Sequence, residues 1–140
     1  MKLGIKITQG CTLLLLGALT TQLSAVENEK FISFKGKRLS DGKQVWIQNC
    51  KTCHAYGIAS APIPMEPKQW QHRLAKKTST LYAHAIDGYF GPDDSWMPPR
   101  GGNPKLTDVE VKIAVDYMVS LARHYLLKQN ELKTISEEQK

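Results

Sequence analysis

The sequence predicts an all-α domain of about four helices. Four segments have the signals of a helix. Apolar residues recur at three- and four-residue spacing in three of them, capping residues bound the other, and no segment shows the two-residue alternation of a β-strand. Stretches rich in Gly and Pro follow the first and the third of these segments. The predicted helices are residues 40–50, 67–77, 80–87 and 107 to about 128.

The first helix is predicted from Ser40 to Cys50, with Ser40 or Asp41 as its N-cap. Trp46 and Cys50 share an apolar side of this helix. Gly42 lies four residues before Trp46 and therefore on the same face. Because glycine lowers helix stability, its presence predicts that another helix packs closely at this point.

Two shorter helices follow residues 58–67, which contain three prolines and are predicted to form an extended loop. Pro67 is expected to begin the second helix, and Ser79 to cap the third. Residues 88–104 hold four Gly and four Pro, so we predict a long loop there.

The last helix begins at a capping box. Thr107 and Glu110 have the spacing at which each side chain can satisfy the backbone N–H of the other. We expect the helix to end near Lys128. The polar residues that follow are predicted to fray.

The N-terminus has the pattern of an export signal. Lys2 and Lys6 precede a short apolar run, and Ala25 provides the small residue at which cleavage is expected. Export would place the protein in the periplasm. An uncleaved signal that tethers the chain to the membrane is the alternative, although the run is short for a membrane span. The chain is therefore predicted to contain a signal peptide (1–25), a linker (26–39), one domain (40–128) and a polar tail (129–140).

The charge balance is mildly basic. The chain has 19 Lys and Arg against 13 Asp and Glu, a formal charge of +6, and loss of residues 1–25 with their two lysines lowers it to +4. The basic residues are dispersed, so nucleic acid is not an expected partner. A positive field could steer docking to an acidic redox protein, or it could serve only solubility.

The chemistry of the chain is indicated by Cys50-Lys51-Thr52-Cys53-His54, a C-x-x-C-H motif typical of covalent haem attachment. Two thiols at this spacing can form thioether bonds with the two vinyl groups of one haem, and the histidine then lies where it can bind the iron. A structural zinc site would need a second ligand pair, and a thioredoxin-like pair would need a βαβ context. One covalently bound haem c is the expected cofactor.

A single histidine leaves the sixth position of the iron to another side chain. We prefer Met97, which lies 43 residues after His54 in a loop that Pro98 and Pro99 stiffen. That distance allows the chain to return across the haem. The alternative is that Met97 only packs on its neighbour Trp96. The other candidates are Met65, Met118, His72, His84 and His124.

These residues resemble the class I bacterial c-type cytochromes, and among them the small periplasmic cytochrome c-five group. The likeness covers about residues 40–122. It is carried by the haem motif and by Ala61-Pro62, the Trp70 segment, Leu81-Tyr82 to Gly88, Met97-Pro98-Pro99-Arg100-Gly101-Gly102-Asn103 and Val115-Asp116-Tyr117-Met118-Val119.

The resemblance implies the class I cytochrome c fold, with about four helices around one covalently bound haem. It implies that Gly42 and Trp46 cross Tyr117 of the last helix. The chain departs from that group between Gly88 and Met97, where its loop is longer than usual.

The resemblance also implies contacts to the haem and its ligand. The Pro62 carbonyl is expected to accept a hydrogen bond from the ring of His54, and Trp70 and Arg73 are expected near a haem propionate. The expected haem-binding residues are Cys50, Cys53, His54, Pro62, Trp70 and Met97, with His54 and Met97 as iron ligands.

The expected function is a periplasmic monohaem electron carrier that works by outer-sphere transfer. A His/Met pair fills both axial positions of the iron, so no enzymatic activity is expected. The donor and acceptor should be redox proteins, with transient association to membrane oxidoreductases. The alternatives are a haem subunit of a larger periplasmic or membrane oxidoreductase complex, and a haem sensor in which the Met97 bond opens.

Overall fold

The computed structural model describes residues 30–92 and 94–139, and the predicted signal peptide lies outside them. Residues 33 onward form one compact unit. Within the described ranges, no helix combines the length and apolar character that a membrane crossing requires. The elements are α1 (Lys37–Asn49), α2 (Lys51–His54), α3 (Pro67–Leu74), α4 (Thr78–Asp87), β1 (Tyr89–Phe90), β2 (Trp96–Met97) and α5 (Asp108–Glu138), with 3₁₀ turns at Ile58–Ser60 and Pro99–Gly102.

The crossing of α1 and α5 is the centre of the fold. A Cβ atom at Gly42 would lie 2.1 Å from the carbonyl oxygen of Ile113, so only glycine permits this approach. One turn further along α1, the buried ring of Trp46 packs on Tyr117 with centroids 5.5 Å apart. Phe34 contacts the same tyrosine edge-on at 5.9 Å. The predicted contact of Gly42 and Trp46 with Tyr117 is confirmed.

A hydrogen-bonded carboxylate ties three helices together. Asp116 of α5 accepts a 2.6 Å hydrogen bond from Nε of Arg38 in α1. Its other oxygen accepts a hydrogen bond from the hydroxyl of Tyr82 in α4. Burial, followed by this bond to Asp116, raises the pKa of the Tyr82 hydroxyl. These hydrogen bonds hold α1 and α4 in fixed positions against α5.

The helix starts differ from the predictions in two places. α1 begins at Lys37, after Gly36 with φ 98°, so neither Ser40 nor Asp41 caps it. Asp41 instead forms an ion pair with Lys37, in which Oδ2 lies 2.8 Å from Nζ. Residues 37–39 are Lys, Arg and Leu, which all favour a helix, so the helix starts before Ser40. It does not start earlier because the positive φ of Gly36 is not helical. α4 likewise begins at Thr78, so Ser79 lies inside the helix.

The last helix is longer than predicted. Its capping box is confirmed, because the Glu110 N–H donates to Thr107 Oγ1 at 3.3 Å and the Thr107 N–H donates to Glu110 Oε2 at 2.8 Å. The helix then continues to Glu138, ten residues past Lys128. The prediction of a frayed tail was wrong because Leu, Glu, Lys and Gln dominate this stretch and all favour a helix.

The predicted loop after Gly88 contains a small antiparallel hairpin. Tyr89 pairs with Met97, and Phe90 pairs with Trp96. The Phe90 and Trp96 rings stack across the strands with centroids 6.0 Å apart. Two residues per strand are too few to produce a visible period, so the sequence did not reveal the hairpin.

Candidate haem-binding site

A cavity of about 370 Å³ lies between the haem motif, α3, α4, the hairpin and α5. Much of its wall is apolar, including Leu81, Val115 and Met118. The volume is in the usual range for a small-molecule site. All six residues predicted to bind haem line this cavity: Cys50, Cys53, His54, Pro62, Trp70 and Met97.

One helical turn presents the two thiols and the imidazole together. The His54 N–H donates to the Cys50 carbonyl at 3.0 Å, and the Gly57 N–H donates to the Cys53 carbonyl at 2.8 Å. Gly57 has φ 72°, a conformation that ends the turn. Burial, with Cys53 as the smaller cause, raises the pKa of the Cys50 thiol to about 12. The buried Cys50 thiol is therefore protonated at neutral pH.

The imidazole of His54 is buried and oriented by a backbone carbonyl. Its Nδ1 lies 3.0 Å from the carbonyl oxygen of Pro62, to which it donates. This bond leaves Nε2 as the nitrogen that can bind a metal. Burial lowers the pKa of His54, the positive charge of Arg73 lowers it further, and the bond to Pro62 opposes both. The result is a neutral imidazole, which is the form that coordinates a metal.

Trp70 and Arg73 of α3 supply donors to the same cavity. Trp70 is buried, and within residues 30–92 and 94–139 its indole N–H has no hydrogen-bond acceptor. A buried donor without a partner is rare in proteins. Burial lowers the pKa of the Arg73 guanidinium, so a nearby anion would stabilise it. Both residues therefore fit a ligand with a carboxylate group.

Met97 lies on β2, at the end of the hairpin that faces the cavity. The chain after it is held by Arg100, which donates to the Leu106 carbonyl at 2.8 Å and to Asp108 at 2.6 Å. Arg100 has φ 55°, a strained conformation for a residue with a side chain. The Arg100 contacts therefore fasten the strand of Met97 to the start of α5.

A second tether joins the same loop to the helix before the motif. Asn103 Nδ2 donates to Asn49 Oδ1 at 2.8 Å, and Asn49 Nδ2 donates to the Val45 carbonyl at 2.9 Å. The sequence did not reveal the roles of Asn49, Asn103 and Arg100. Asn49 precedes Cys50, and Arg100 follows the Met-Pro-Pro run, so both are adjacent to predicted site residues. The sequence contains no signal that Asn49 and Asn103, 54 positions apart, form a hydrogen bond.

The other candidate ligands divide into two groups. Met118, His72 and His84 line the cavity, whereas Met65 and His124 do not. Met118 belongs to the buried stripe of α5, as expected. The ring of His84 stacks on Tyr89 with centroids 3.9 Å apart and an angle of 14°, an arrangement that occupies one of its faces.

These residues fit a haem. The cavity offers a buried neutral imidazole one turn from two thiols and apolar walls for a porphyrin. For the porphyrin carboxylates it offers the unpartnered indole N–H of Trp70 and the positive charge of Arg73. A bound haem supplies a one-electron couple between ferric and ferrous iron. Fold and site together define a helical protein that binds haem through a C-x-x-C-H motif.

Comparisons with known proteins agree with this class. The family model described as cytochrome c oxidase, cbb3-type, subunit III matches residues 37–118. The chain is 41% identical over 85 residues to cytochrome c-555 of Prosthecochloris aestuarii, which covers 59% of this chain and 86% of that protein. It is 39% identical over 82 residues to cytochrome c-555 of Chlorobaculum thiosulfatiphilum, which covers 59% and 94%.

A solved structure gives the same result. A chain from the crystal structure of an electron transfer complex of nitrite reductase with cytochrome c matches with a TM-score of 0.51 and 33% identity, covering 59% of this chain and 94% of that one. The chain belongs to the class I c-type cytochromes. It is a monohaem, electron-carrying protein with covalently bound haem c, and its all-α fold confirms the prediction.

Proposed function

We propose that His54 and Met97 are the two axial ligands of the haem iron and that the protein transfers single electrons by outer-sphere transfer. The observation that carries this proposal is that both side chains line one cavity although they lie 43 residues apart. His54 contributes Nε2, because the Pro62 carbonyl holds Nδ1. A thioether opposite an imidazole favours ferrous iron and leaves no site for a substrate. We therefore infer that the protein is not an enzyme.

Met97 is preferred over the other cavity residues for reasons of position. Met118 is fixed in the packed seam of α5, and His84 is stacked on Tyr89. Met97 lies instead on a hairpin outside the helical core, and the Arg100 contacts restrain the chain that follows it. Such a restrained loop can hold a sulfur atom at one place at low entropic cost.

Carbon monoxide tests this assignment. Ferrous wild-type protein should bind it slowly or not at all, because both axial positions are filled, and Met97→Ala should bind it readily. Met65→Ala is the matched control, since Met65 does not line the cavity, and it should behave as wild type. Ready binding by wild-type protein would instead support a haem sensor with a labile methionine.

We further propose that redox partners dock at the mouth of the cavity. Phe90 and Trp96 are 79% and 53% exposed, next to Met97 on the hairpin. Exposed apolar groups of this size commonly mark interaction sites. Among the described residues that line the cavity, Arg73 and Lys76 are cationic and none is a carboxylate. An acidic redox protein with an apolar centre fits this surface, and such encounters are usually small and transient.

A haem subunit of a larger oxidoreductase complex is the second candidate function. The matching family model is named for an oxidase subunit. Retention of the chain on a partner through washes at high salt would favour this function. A monohaem protein that elutes free would favour a diffusing carrier.

For the location, we propose that residues 1–25 direct export to the periplasm and are then removed. The support is the basic, apolar and small-residue pattern of this stretch. Haem attachment after export also suits a chain that crosses the membrane unfolded. Fractionation of cells that express the full chain tests this, and a haem protein that stays in the membrane pellet would indicate an uncleaved anchor.

A further inference from the structure

The hairpin that carries Met97 is too small to be stable by itself. Its strands have two residues each, Tyr89–Phe90 and Trp96–Met97. Within its turn the Gly91 N–H donates to the Ser95 carbonyl at 2.8 Å. An isolated two-stranded hairpin is marginally stable in water at best. The position of Met97 therefore depends on what the hairpin packs against.

The ring of Tyr89 attaches the hairpin to α4. It stacks on the ring of His84 with centroids 3.9 Å apart and an angle of 14° between the planes. The Nζ of Lys76, in the connection between α3 and α4, lies 5.7 Å from the centroid of the Tyr89 ring, which is a cation–π distance. Tyr89 and Phe90 are neighbours in β1, yet they are 37% and 79% exposed. Tyr89 is therefore the better covered residue of its strand.

Tyr89 lies directly opposite Met97 in the hairpin. Directly opposite residues of two paired strands lie on the same face, with Cβ atoms about 5 Å apart. Both residues line the haem cavity. Because the two strands are paired, a movement of Tyr89 away from His84 would also move the strand of Met97.

Gly88 brings the end of α4 against the same strand. It has φ 87°, and a Cβ atom at this position would lie 3.0 Å from the carbonyl oxygen of Met97 and 3.0 Å from Cδ of Pro99. The chain that leaves α4 therefore runs close to the backbone of Met97. The helix thus supports the strand of Met97 at two consecutive residues, through the backbone of Gly88 and through the ring of Tyr89.

We propose that Tyr89 is a positioning residue for the sixth iron ligand. Its stack on His84 holds the strand of Met97 where the thioether can bind the iron. This inference rests on the proposed assignment of Met97 as ligand. An external ligand can bind only to the fraction of molecules in which the sulfur has left the iron. By holding the strand, the stack keeps this fraction small.

Carbon monoxide binding to the ferrous, haem-loaded protein tests the proposal. Tyr89→Ala should bind it about fivefold faster than wild type, the factor that corresponds to loss of a typical aromatic pair. The affinity of the ferric protein for imidazole should rise by a similar factor. Tyr89→Phe keeps the ring and should behave as wild type in both measurements. Met97→Ala should bind carbon monoxide faster than every Tyr89 variant, because it has no thioether.

Tyr125→Ala is the matched control for loss of a tyrosine that contacts a histidine. The ring of Tyr125 lies 5.4 Å from that of His124, measured between centroids, and neither residue lines the haem cavity. Tyr125→Ala should bind carbon monoxide and imidazole as wild type does, whatever its effect on guanidinium unfolding. An equal acceleration in Tyr125→Ala and Tyr89→Ala would mean that general loss of stability is the cause, and would overturn the proposal.

His84→Ala removes the other half of the stack. It should accelerate carbon monoxide binding by about the same factor as Tyr89→Ala, and the double variant should show no further increase, because both changes remove one contact. Independent, multiplying effects would overturn the proposal, as would a Tyr89→Ala protein that binds like wild type.

The ligand assignment can fail separately from the positioning role. If Met97→Ala binds carbon monoxide readily and Tyr89→Ala does not, Met97 remains the ligand and only the role of Tyr89 is wrong. If Met97→Ala binds no faster than wild type, the assignment of Met97 is wrong and the role of Tyr89 fails with it. Binding by His84→Ala as fast as by a protein without a sixth ligand would identify His84 as the ligand and overturn both.

Discussion

Replacing Gly42 with alanine tests the close approach of α1 and α5. Helix propensity alone predicts that this change stabilises the protein by about 1 kcal/mol. The structure predicts the opposite sign, because the new Cβ would lie 2.1 Å from the Ile113 carbonyl oxygen and 3.3 Å from Tyr117 Cβ. Contacts below 3.0 Å are essentially never seen for a Cβ atom. The two backbones would therefore have to separate by about 1 Å, which removes a quarter to a half of the dispersion energy of the contacts between them.

We expect a net loss of about 2 kcal/mol in the free energy of unfolding, since overpacking of a core typically costs about 1–3 kcal/mol. Guanidinium unfolding of the haem-loaded protein, followed by far-UV circular dichroism, measures it. Gln44→Ala is the control, because Gln44 is an exposed residue of the same helix, and its effect should stay within about 0.5 kcal/mol. If Gly42→Ala is as stable as wild type, the steric argument for the crossing is wrong.

Two further predictions concern polar contacts. Arg100→Gln removes the ion pair to Asp108, so it should cost about 1 kcal/mol of stability and should speed carbon monoxide binding to the ferrous protein. Lys37→Gln is the control, because it removes an exposed ion pair and should have no measurable effect. Equal behaviour of the two variants would show that Arg100 does not restrain Met97. The hydrogen bonds from Thr107 lower the pKa of Glu110 below its usual 4.5. The stabilising contribution of Glu110 is therefore complete above pH 4.5 and is lost as the pH falls through the lowered pKa. Glu110→Gln should flatten the pH dependence of the free energy of unfolding measured from pH 7 to pH 3. An unchanged slope would contradict this role.

The sequence was sufficient for the residues whose chemistry is local. The C-x-x-C-H motif requires only five consecutive residues, and the capping box at Thr107 requires four. The crossing at Gly42 was also predictable, since an unfavourable glycine on the apolar face of a helix indicates a close neighbour. These features follow from spacing along one element, and spacing is what a sequence displays directly.

The features that the sequence did not reveal depend on distant residues. Arg100 and Asn103 act through partners on other elements, and their residue types are common in loops for many reasons. The hairpin of Phe90 and Trp96 forms because the chain on either side is held, not because its strands have a strong preference of their own. The extra turns of α5 were missed because a polar sequence was interpreted as disorder, although its residues favour a helix.

The mass and colour of the exported protein test the central claim most directly. Expression of the full chain in a host that matures c-type cytochromes should give a red protein. Its intact mass should equal that of residues 26–140 plus one haem, and the haem should remain attached after denaturation because Cys50 and Cys53 hold it. A colourless protein in which both thiols still react with an alkylating reagent would contradict the account.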